Sequence, residues 1–355
     1  MPTRGQHTYH EIISQPEIWA EALAVGAANA DKLKTLWQRS RATELLFTGC
    51  GSTYYLSLAA AALARALGLP AWAAPASEIW LFPRLAAGRT SRRLLIAVSR
   101  SGETSETIRA IDAFRQIGGP AVVAVTCHPD SAVARQADLV LAIPGAREAS
   151  MAQTRSFAGM LLLCQVAIGQ LAGDDGIAAR LRVLPGMGRR ILDEYDSLAA
   201  DLGQRMAFHR FFFLGNGPCY GLASEAMLKM KEMSLSDSEA YHTLEFRHGP
   251  KSMVDPETVV VGLLSDEARA QESTVLAEMR GLGAQLLVLD DQDQMADSVS
   301  EAYRVQLASG LPTADRLVLY LPVLQLLAYH RSMAKGLNPD EPRNLTAVVT
   351  LHDPA

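Results

Sequence analysis

The chain has 355 residues, of which 49% are hydrophobic and 20% are charged. This composition is close to the globular average, which excludes a disordered, collagen-like or coiled-coil chain. Lysine and arginine number 33 against 38 aspartates and glutamates, a net charge of -5, so no basic surface for nucleic acid or an anionic membrane is indicated. We expect a soluble globular protein of two domains that binds any anionic ligand locally.

The cysteines are widely spaced and form no C-x-x-C pair; they are Cys50, Cys127, Cys164 and Cys219. This pattern predicts neither a disulfide framework nor a zinc site, and it indicates reduced, buried thiols. The N-terminal sequence MPTRGQHTYHEI lacks the apolar core of a signal peptide, and polar residues interrupt the most apolar stretches. We therefore expect a cytoplasmic protein that enters no membrane.

The first segments in chain order predict a helical preamble and an α/β domain. Residues 1–41 carry apolar groups at helical spacing, which predicts two amphipathic helices. Residues 42–173 alternate short apolar runs with longer Ala- and Leu-rich stretches, a pattern typical of a doubly wound parallel sheet with helices on both faces. The runs are ELLFTG, LLIAVS, AVVAVT and DLVLAIP.

The same pattern returns after a charged helical linker at residues 174–204. In residues 205–335 the runs are RFFFLG, ETVVVGLLS, AQLLVLD and RLVLYLP. Gly49 and Ser99 close the first two runs of one half, and Gly215 and Ser265 close those of the other, with 50 positions between the members of each pair. We interpret this as a duplicated flavodoxin-like α/β domain, followed by a polar tail at residues 336–355.

Two loops of the first half are candidates for phosphate binding. TGCGSTYY (residues 48–55) and SRSGETSET (residues 99–107) combine glycines with clustered hydroxyls after predicted strands, where ligands of open parallel sheets bind. Such loops at helix N-termini can cradle a phosphate, although the hydroxyls could instead be helix caps. Neither nucleotide-binding glycine motif is present. The equivalent loop of the second half, SDEARAQES (residues 265–273), is acidic and predicts no phosphate site.

The second half offers charged side chains instead. Glu225, Lys229 and Glu232 share one face of a predicted helix, and His248 follows in the turn FRHGP. The alternatives are a solvated face with salt bridges and a surface histidine. The other face of the helix, which would pack on the sheet, carries Leu222, Ala226, Met230 and Met233.

Several of these motifs resemble, in their order, the sugar isomerase (SIS) domain family. They are S-x-S-G-E-T in the second loop, K-x-K-E ending at Glu232, and H-G-P beginning at His248. The resemblance runs from about residue 10 to 353. The tandem arrangement is similar to the isomerase half of glucosamine-6-phosphate synthase, to stand-alone glucosamine-6-phosphate deaminases and to AgaS-type sugar-phosphate proteins.

The resemblance assigns expected roles to the loops of both halves. The hydroxyl loops would bind the phosphate of a sugar phosphate, where Arg100 replaces a frequent glutamine and adds a cation. A glycine of the first loop and the segment that follows the fourth apolar run would line the sugar pocket. From the sequence alone, that segment could instead be the start of a helix. The expected phosphate ligands are Ser52, Thr53, Ser99, Arg100, Ser101 and Thr104, and the expected pocket residues are Gly51, Met151, Ala152 and Gln153.

The resemblance also implies the catalytic residues and a partner. Glu232 would move a proton between C1 and C2, His248 would open the sugar ring, and Lys229 would be a polar partner near the open-chain oxygens. In the synthase the histidine comes from the neighbouring subunit, which implies a homodimer with a shared site. A carboxylate and an imidazole suffice for this proton transfer, so no metal or redox cofactor is expected.

Two departures from the synthase pattern refine the expected reaction. The chain begins directly before the sugar domains, so we expect ammonia rather than glutamine as the nitrogen compound. Ala347 stands where the synthase has a Schiff-base lysine, which favours non-covalent isomerisation or deamination. The predicted function is isomerising deamination of glucosamine 6-phosphate to fructose 6-phosphate and ammonia. The alternatives are deglycation of a sugar-phosphate amine such as fructoselysine 6-phosphate, aldose-ketose isomerisation, and non-catalytic phosphosugar sensing.

Overall fold

The computed structural model describes residues 3–88, 92–293, 302–346, 348–349 and 351. These residues form two compact units, which we name the N unit and the C unit. The N unit comprises Ser14–Glu148, Arg155–Pro185 and the described residues from Thr346 on. The C unit comprises Ala149–Thr154, Gly186–Leu345 and the described residues up to Ile13. The N-terminal helical segment is thus divided between the units, and Ala347, the position of the missing lysine, lies outside the described residues.

The N unit is built on a five-stranded parallel sheet in the order β2-β1-β3-β4-β5. Its central strands are buried along nearly their whole length because helices cover both faces, as expected for parallel sheets. Phe114 from a covering helix packs with Leu46 and Leu95 in the core. The strands are β1 Glu44–Gly49, β2 Ala71–Pro75, β3 Arg93–Ser99, β4 Ala121–Thr126 and β5 Leu139–Ala142.

The C unit repeats this architecture with a second parallel sheet in the order β10-β9-β8-β6-β7. In chain order this is the same topology as in the N unit, and it is the flavodoxin-like order. The predicted α/β fold with two doubly wound parallel sheets is therefore confirmed. The strands are β6 Arg210–Gly215, β7 Asp237–Tyr241, β8 Thr258–Leu263, β9 Gln285–Asp290 and β10 Tyr303–Gln306.

The prediction of a strand at RLVLYLP is wrong. Leu317–Tyr320 forms a 3-10 helix, and the chain continues from Leu321 into an α-helix. The run is fully buried in that form, and a short buried apolar run has no period that separates a strand from a helix. The fourth strand after β6 in the chain is β10.

The helical preamble contains three helices rather than the two expected, because turns at Ser14 and Asn29 divide it. The helical linker begins with a short helix and ends in a long one. The described α-helices are α1 Gln6–Ile13, α2 Gln15–Ala28, α3 Ala30–Ser40, α4 Ser52–Ala66, α5 Ala76–Leu81, α6 Pro83–Ala86, α7 Ser105–Gln116, α8 Ala132–Gln136, α9 Arg155–Leu171, α10 Ile177–Arg180, α11 Leu184–Gln204, α12 Pro218–Ser234, α13 Arg269–Gly281 and α14 Leu321–Ala334.

The duplication is visible in the backbone after the first strand of each unit. Gly51 precedes α4 with φ 55° and ψ -123°, and Gly217 precedes α12 with φ 51° and ψ -129°. This conformation is open to glycine and disfavoured for other residues. The same unusual turn at equivalent positions supports descent of the two halves from one ancestral domain.

The described helices and cysteines bear on two further expectations. Of the helices in the described ranges, none is both long and apolar enough to cross a bilayer. The cysteines are free thiols, and Cys127, Cys164 and Cys219 are buried as expected. Cys50 is only half-buried, because it lies in the loop that follows β1.

Candidate active site

The loop after β1 uses one of its predicted phosphate ligands to hold its own shape. The Thr53 hydroxyl accepts a hydrogen bond from Cys50 N at 2.8 Å and donates one to Cys50 O at 2.9 Å. A hydroxyl has a single hydrogen, so Thr53 has none left to donate to a phosphate. Ser52 is buried beside it. Burial raises the pKa of Cys50 to about 11, which keeps this thiol neutral near pH 7 and argues against a nucleophilic role.

The loop after β3 retains hydroxyl donors. Ser101 Oγ accepts a bond from Glu103 N at 3.2 Å, which leaves its hydrogen available. Thr104 occupies the N-cap position of α7 without making a side-chain capping bond. Ser99 Oγ is buried and accepts a bond from Gly102 N at 3.0 Å. Ser101 and Thr104 are therefore better placed as phosphate donors than Thr53.

The end of the chain runs beside this loop within the N unit. Ser105 N donates to Val349 O at 3.3 Å, and Ser105 Oγ accepts from Leu351 N at 3.0 Å. Gly102 touches the loop after β4 so closely that a Cβ on it would lie 1.9 Å from Ser131 Oγ. The loop after β3 is thus enclosed on two sides.

Arg100, the expected extra cation, has a carboxylate partner in its own unit. Its Nη1 lies 3.2 Å from Oε2 of Glu148, whose side chain is fully buried. Glu148 also accepts from Ser156 N at 3.1 Å. Part of the charge of Arg100 is therefore neutralised by Glu148 before any phosphate binds.

The equivalent loop of the C unit carries the same ion pair with the charges exchanged. Asp266, the position equivalent to Arg100, binds the buried Arg316 at 2.8 Å. Ser265 N donates to the buried Glu272 at 2.7 Å, so this loop is filled by the protein's own carboxylates. That this loop binds no phosphate stays a prediction.

Helix α12 carries a buried triad of charged side chains. Lys229 Nζ lies 3.4 Å from Glu225 Oε1 and also bonds to Glu232 Oε2. Side-chain exposure is 1% for Glu225, 1% for Lys229 and 19% for Glu232. The face is therefore not the solvated one that isolated helices show at this spacing. The expected packing of the opposite face is confirmed, since Leu222, Ala226, Met230 and Met233 are buried.

The two glutamates of the triad control the pKa of Lys229. Burial alone would lower the pKa of Lys229, but the charges of Glu225 and Glu232 outweigh it and the pKa is raised. Lys229 is therefore a cation at neutral pH. Glu232 is the member of the triad that reaches solvent. A partly exposed carboxylate held by a buried lysine is suited to accept a proton from a ligand.

A cavity of about 240 Å³ opens beside Glu232 within the C unit. The end of α12 forms one wall with Glu232, Met233 and Leu235. The start of the tail forms the other, with residues 336–338 and 341–343. These tail residues were not predicted as site residues, although the sequence analysis compared the nearby Ala347 with the Schiff-base lysine of the synthase.

His248 lies on the surface of the C unit after a 3-10 helix at Glu245–Arg247. Gly249 follows with φ 120°, and the neighbouring Arg247 pairs with Glu278 at 3.0 Å. Within the described ranges, no hydrogen bond joins His248 to Glu232. His248 is thus exposed within its unit.

The segment expected to close the sugar pocket belongs to the C unit. Met151 N donates to Asp340 O at 3.0 Å, which links the segment to the tail. Ala152 is buried, and the amide oxygen of Gln153 is buried without a hydrogen-bond partner in the described part of the chain. Gly51, the remaining predicted pocket residue, lies in the N unit.

Comparison with known proteins places these features in a family. The SIS domain model matches residues 40–169 and 208–328. The chain is 30% identical over 358 residues to glutamine--fructose-6-phosphate aminotransferase [isomerizing] of Xylella fastidiosa, covering 96% of this chain and 58% of that protein. It is also 30% identical over 339 residues to the Escherichia coli K12 protein of the same name, covering 91% and 53%. The chain thus spans little more than half the length of these relatives.

Two solved structures are similar over almost the whole chain. Glucosamine-6-phosphate deaminase from Thermotoga maritima matches with a TM-score of 0.73 and 27% identity, covering 93% of this chain and all of that one. Tagatose-6-phosphate ketose/aldose isomerase from Escherichia coli matches with a TM-score of 0.87 and 23% identity, covering 99% and 98%, a likeness of fold alone. Two matched segments, each centred on one parallel sheet, show that the chain belongs to the SIS domain family.

Proposed function

We propose that the chain is a phosphosugar isomerase that deaminates glucosamine 6-phosphate to fructose 6-phosphate and ammonia. The observation that carries the proposal is the triad of α12, in which buried Lys229 holds Glu232 at the edge of a cavity. Membership of the SIS domain family and the 27% identity to a protein named glucosamine-6-phosphate deaminase support it.

The phosphate and the reacting carbons have separate ligands in this proposal. Ser101 and Thr104 donate hydroxyl hydrogen bonds to the phosphate, since Ser101 Oγ acts as an acceptor from Glu103 N and Thr104 makes no side-chain capping bond in the described part of the chain. Thr53 acts only by shaping its loop. Binding of the phosphate at a distance from the reacting carbons lets remote binding energy orient C1 and C2.

The reaction balances with one water molecule. His248 transfers the proton that opens the hemiacetal ring, which frees the C1 aldehyde. Glu232 removes the C2 proton while the C1 oxygen takes a proton from water, which forms an enolamine. Glu232 then returns its proton to C1 and the nitrogen releases one to water, which leaves an imine at C2. Water hydrolyses this imine to the ketose and ammonia. Lys229 is too deeply buried to touch the open-chain oxygens, so its charge favours the electron-rich intermediate through Glu232, to which it bonds.

The exposure of His248 favours its use by a second copy of the chain. We include in the proposal a homodimer in which each site takes Glu232 from one copy and His248 from the other. An exposed histidine next to a positive-φ glycine is free to enter a neighbouring site.

Replacement of Glu232 by Gln tests the proposal. The substitution keeps the shape and removes the base, so turnover should fall by about 100-fold or more, while binding of the sugar phosphate stays close to that of the wild type. Exchange of the C2 hydrogen in deuterated water, followed by NMR, reports the step directly. Glu194→Gln, at an exposed residue paired with Arg190, is the matched control.

Two outcomes would contradict the proposal. If the wild type exchanges no C2 hydrogen with any hexose or hexosamine 6-phosphate that it binds, it senses phosphosugars and is not an isomerase. If Glu232→Gln lowers the thermal midpoint and leaves turnover per folded molecule unchanged, Glu232 is a structural partner of Lys229.

A further inference from the structure

Helix α1 is bonded to the tail that walls the Glu232 cavity. The carboxylate of Asp340, which is 7% exposed, accepts bonds from Thr8 N and Thr8 Oγ1, both at 2.7 Å, and from His7 N at 3.3 Å. These N–H groups belong to the first turn of α1, where helices leave donors unsatisfied and favour negative charge. Asn338 Oδ1 accepts from Gly5 N at 3.1 Å. The tail is therefore fastened to the start of α1 at two residues.

The same helix grips the segment 149–154 with a second buried carboxylate. Glu11, 2% exposed, accepts from Ala149 N at 2.6 Å, from Ser150 N at 3.3 Å and from Ser150 Oγ. Glu11 lies three residues after Thr8, on one face of α1. One face of a two-turn helix thus holds both segments.

A backbone hydrogen bond also joins the tail to the segment 149–154. Met151 N donates to Asp340 O at 3.0 Å, so the two segments are joined to each other as well as to α1. Burying a carboxylate is costly unless it is hydrogen-bonded, and here two carboxylates meet that cost with backbone N–H groups and hydroxyls. Neither segment is part of an α-helix or strand. The hydrogen bonds to α1 therefore hold the backbone of both segments in place, as the bonds within a helix or sheet do elsewhere.

Glu232 itself is held by other means. It lies on α12, whose buried face packs in the core of the C unit through Leu222 and Met230. The α1 bonds therefore act on the tail wall directly, whereas none of them is made to the base. Loss of the α1 bonds should move the wall and leave the base in place.

We propose that Thr8, Glu11 and Asp340 are positioning residues, which hold the tail wall of the cavity and the segment 149–154 at the distance that the sugar requires. This inference rests on the proposed function, because it takes the cavity as the place where the sugar's reacting end binds. It assigns to the N-terminal helix a part in substrate binding that its place in the chain does not suggest.

Variants of Thr8 test the inference. Thr8→Val keeps the shape and loses the hydroxyl bond to Asp340, whereas Thr8→Ser keeps that bond. Tyr9→Phe is the matched control, since it removes a bond of α1 to Asp196 at 2.9 Å without touching either segment. We expect Thr8→Val to raise KM and to speed amide exchange at Asn338, Asp340, Glu341 and Arg343 by about tenfold, the effect of one lost hydrogen bond. Its kcat should stay near the wild-type value, and Thr8→Ser should resemble the wild type.

The readouts separate positioning from general stability. A variant that only destabilises the fold lowers the thermal midpoint, as Tyr9→Phe should, without raising KM at temperatures far below it. Unchanged KM and unchanged exchange in folded Thr8→Val protein would overturn the inference, as would an equal KM increase in Tyr9→Phe. Amide exchange needs no substrate, so faster exchange in a protein without isomerase activity would refute the proposed function and leave the mechanical link between α1 and the tail intact.

Discussion

Lys229 Nζ lies 3.4 Å from Oε1 of Glu225, and both side chains are 1% exposed. Neither group can exchange its partner for water, so the pair is a fixed charge arrangement inside α12. Glu232 bonds to the same ammonium. The orientation of the proposed base therefore depends on a lysine that Glu225 holds inside the protein.

Replacing Lys229 by Met should therefore reduce stability strongly. The variant leaves Glu225 buried without its cation, and breaking a buried ion pair on one side typically costs about 3 to 5 kcal/mol. The double variant Lys229→Met/Glu225→Gln removes both charges and should regain part of the loss. Urea unfolding of the two proteins measures this, and a single variant as stable as the wild type would show that the contact contributes nothing.

Phosphate affinity should depend on the loop after β3. Replacing Ser101 and Thr104 together by Ala should weaken binding of glucosamine 6-phosphate by about 2 to 4 kcal/mol, at roughly 1 to 2 for each lost charge-assisted bond. Calorimetry gives the affinity directly. Thr274→Ala, which removes an exposed hydroxyl from α13, is the control and should bind as the wild type does. Full affinity in the double variant would place the phosphate elsewhere.

A shared site predicts complementation between inactive variants. Glu232→Gln and His248→Ala proteins should each be inactive, but hybrid dimers contain one site with both intact residues. Mixing after verified subunit exchange should therefore restore part of the activity. Activity that stays absent in the mixture would show that each copy supplies its own Glu232 and His248.

The ion pair of Asp266 with Arg316 should make stability depend on pH in the acid range. Burial acts to raise the pKa of Asp266, but the bonds and charge of Arg316, with bonds from Thr313, outweigh it and the pKa is lowered. A carboxyl whose pKa is lower in the folded chain stabilises above its unfolded pKa, about 4, and that contribution is lost as the pH falls through the folded value.

Asp266→Asn isolates this contribution. The difference in urea midpoint between wild type and variant should be largest near pH 7 and should shrink at pH values below about 4. Unfolding curves at several pH values between those limits measure it. A difference that is the same at every pH would mean that the variant acts only by disturbing the packing around Arg316.

The central strands were predictable because buried parallel strands are continuous apolar runs. The strands β1, β3, β4, β6, β8 and β9 all fall on such runs. The three strands that were missed, β2, β7 and β10, are edge strands, and DSEAY of β7 shows how polar an edge can be. Their pairing depends on a neighbouring strand that local sequence does not reveal.

The sequence by itself determined the duplicated fold and, through short motifs, the residues Ser101, Thr104, Glu232 and His248 as candidates. Helical spacing also determined that Glu225, Lys229 and Glu232 share a face, because that follows from 3.6 residues per turn. Only the tertiary structure decided that this face is buried, since burial depends on what packs over it. The same holds for Thr8 and Asp340, which are 332 positions apart in the chain: no local pattern encodes a contact between segments that meet only after the C unit has folded.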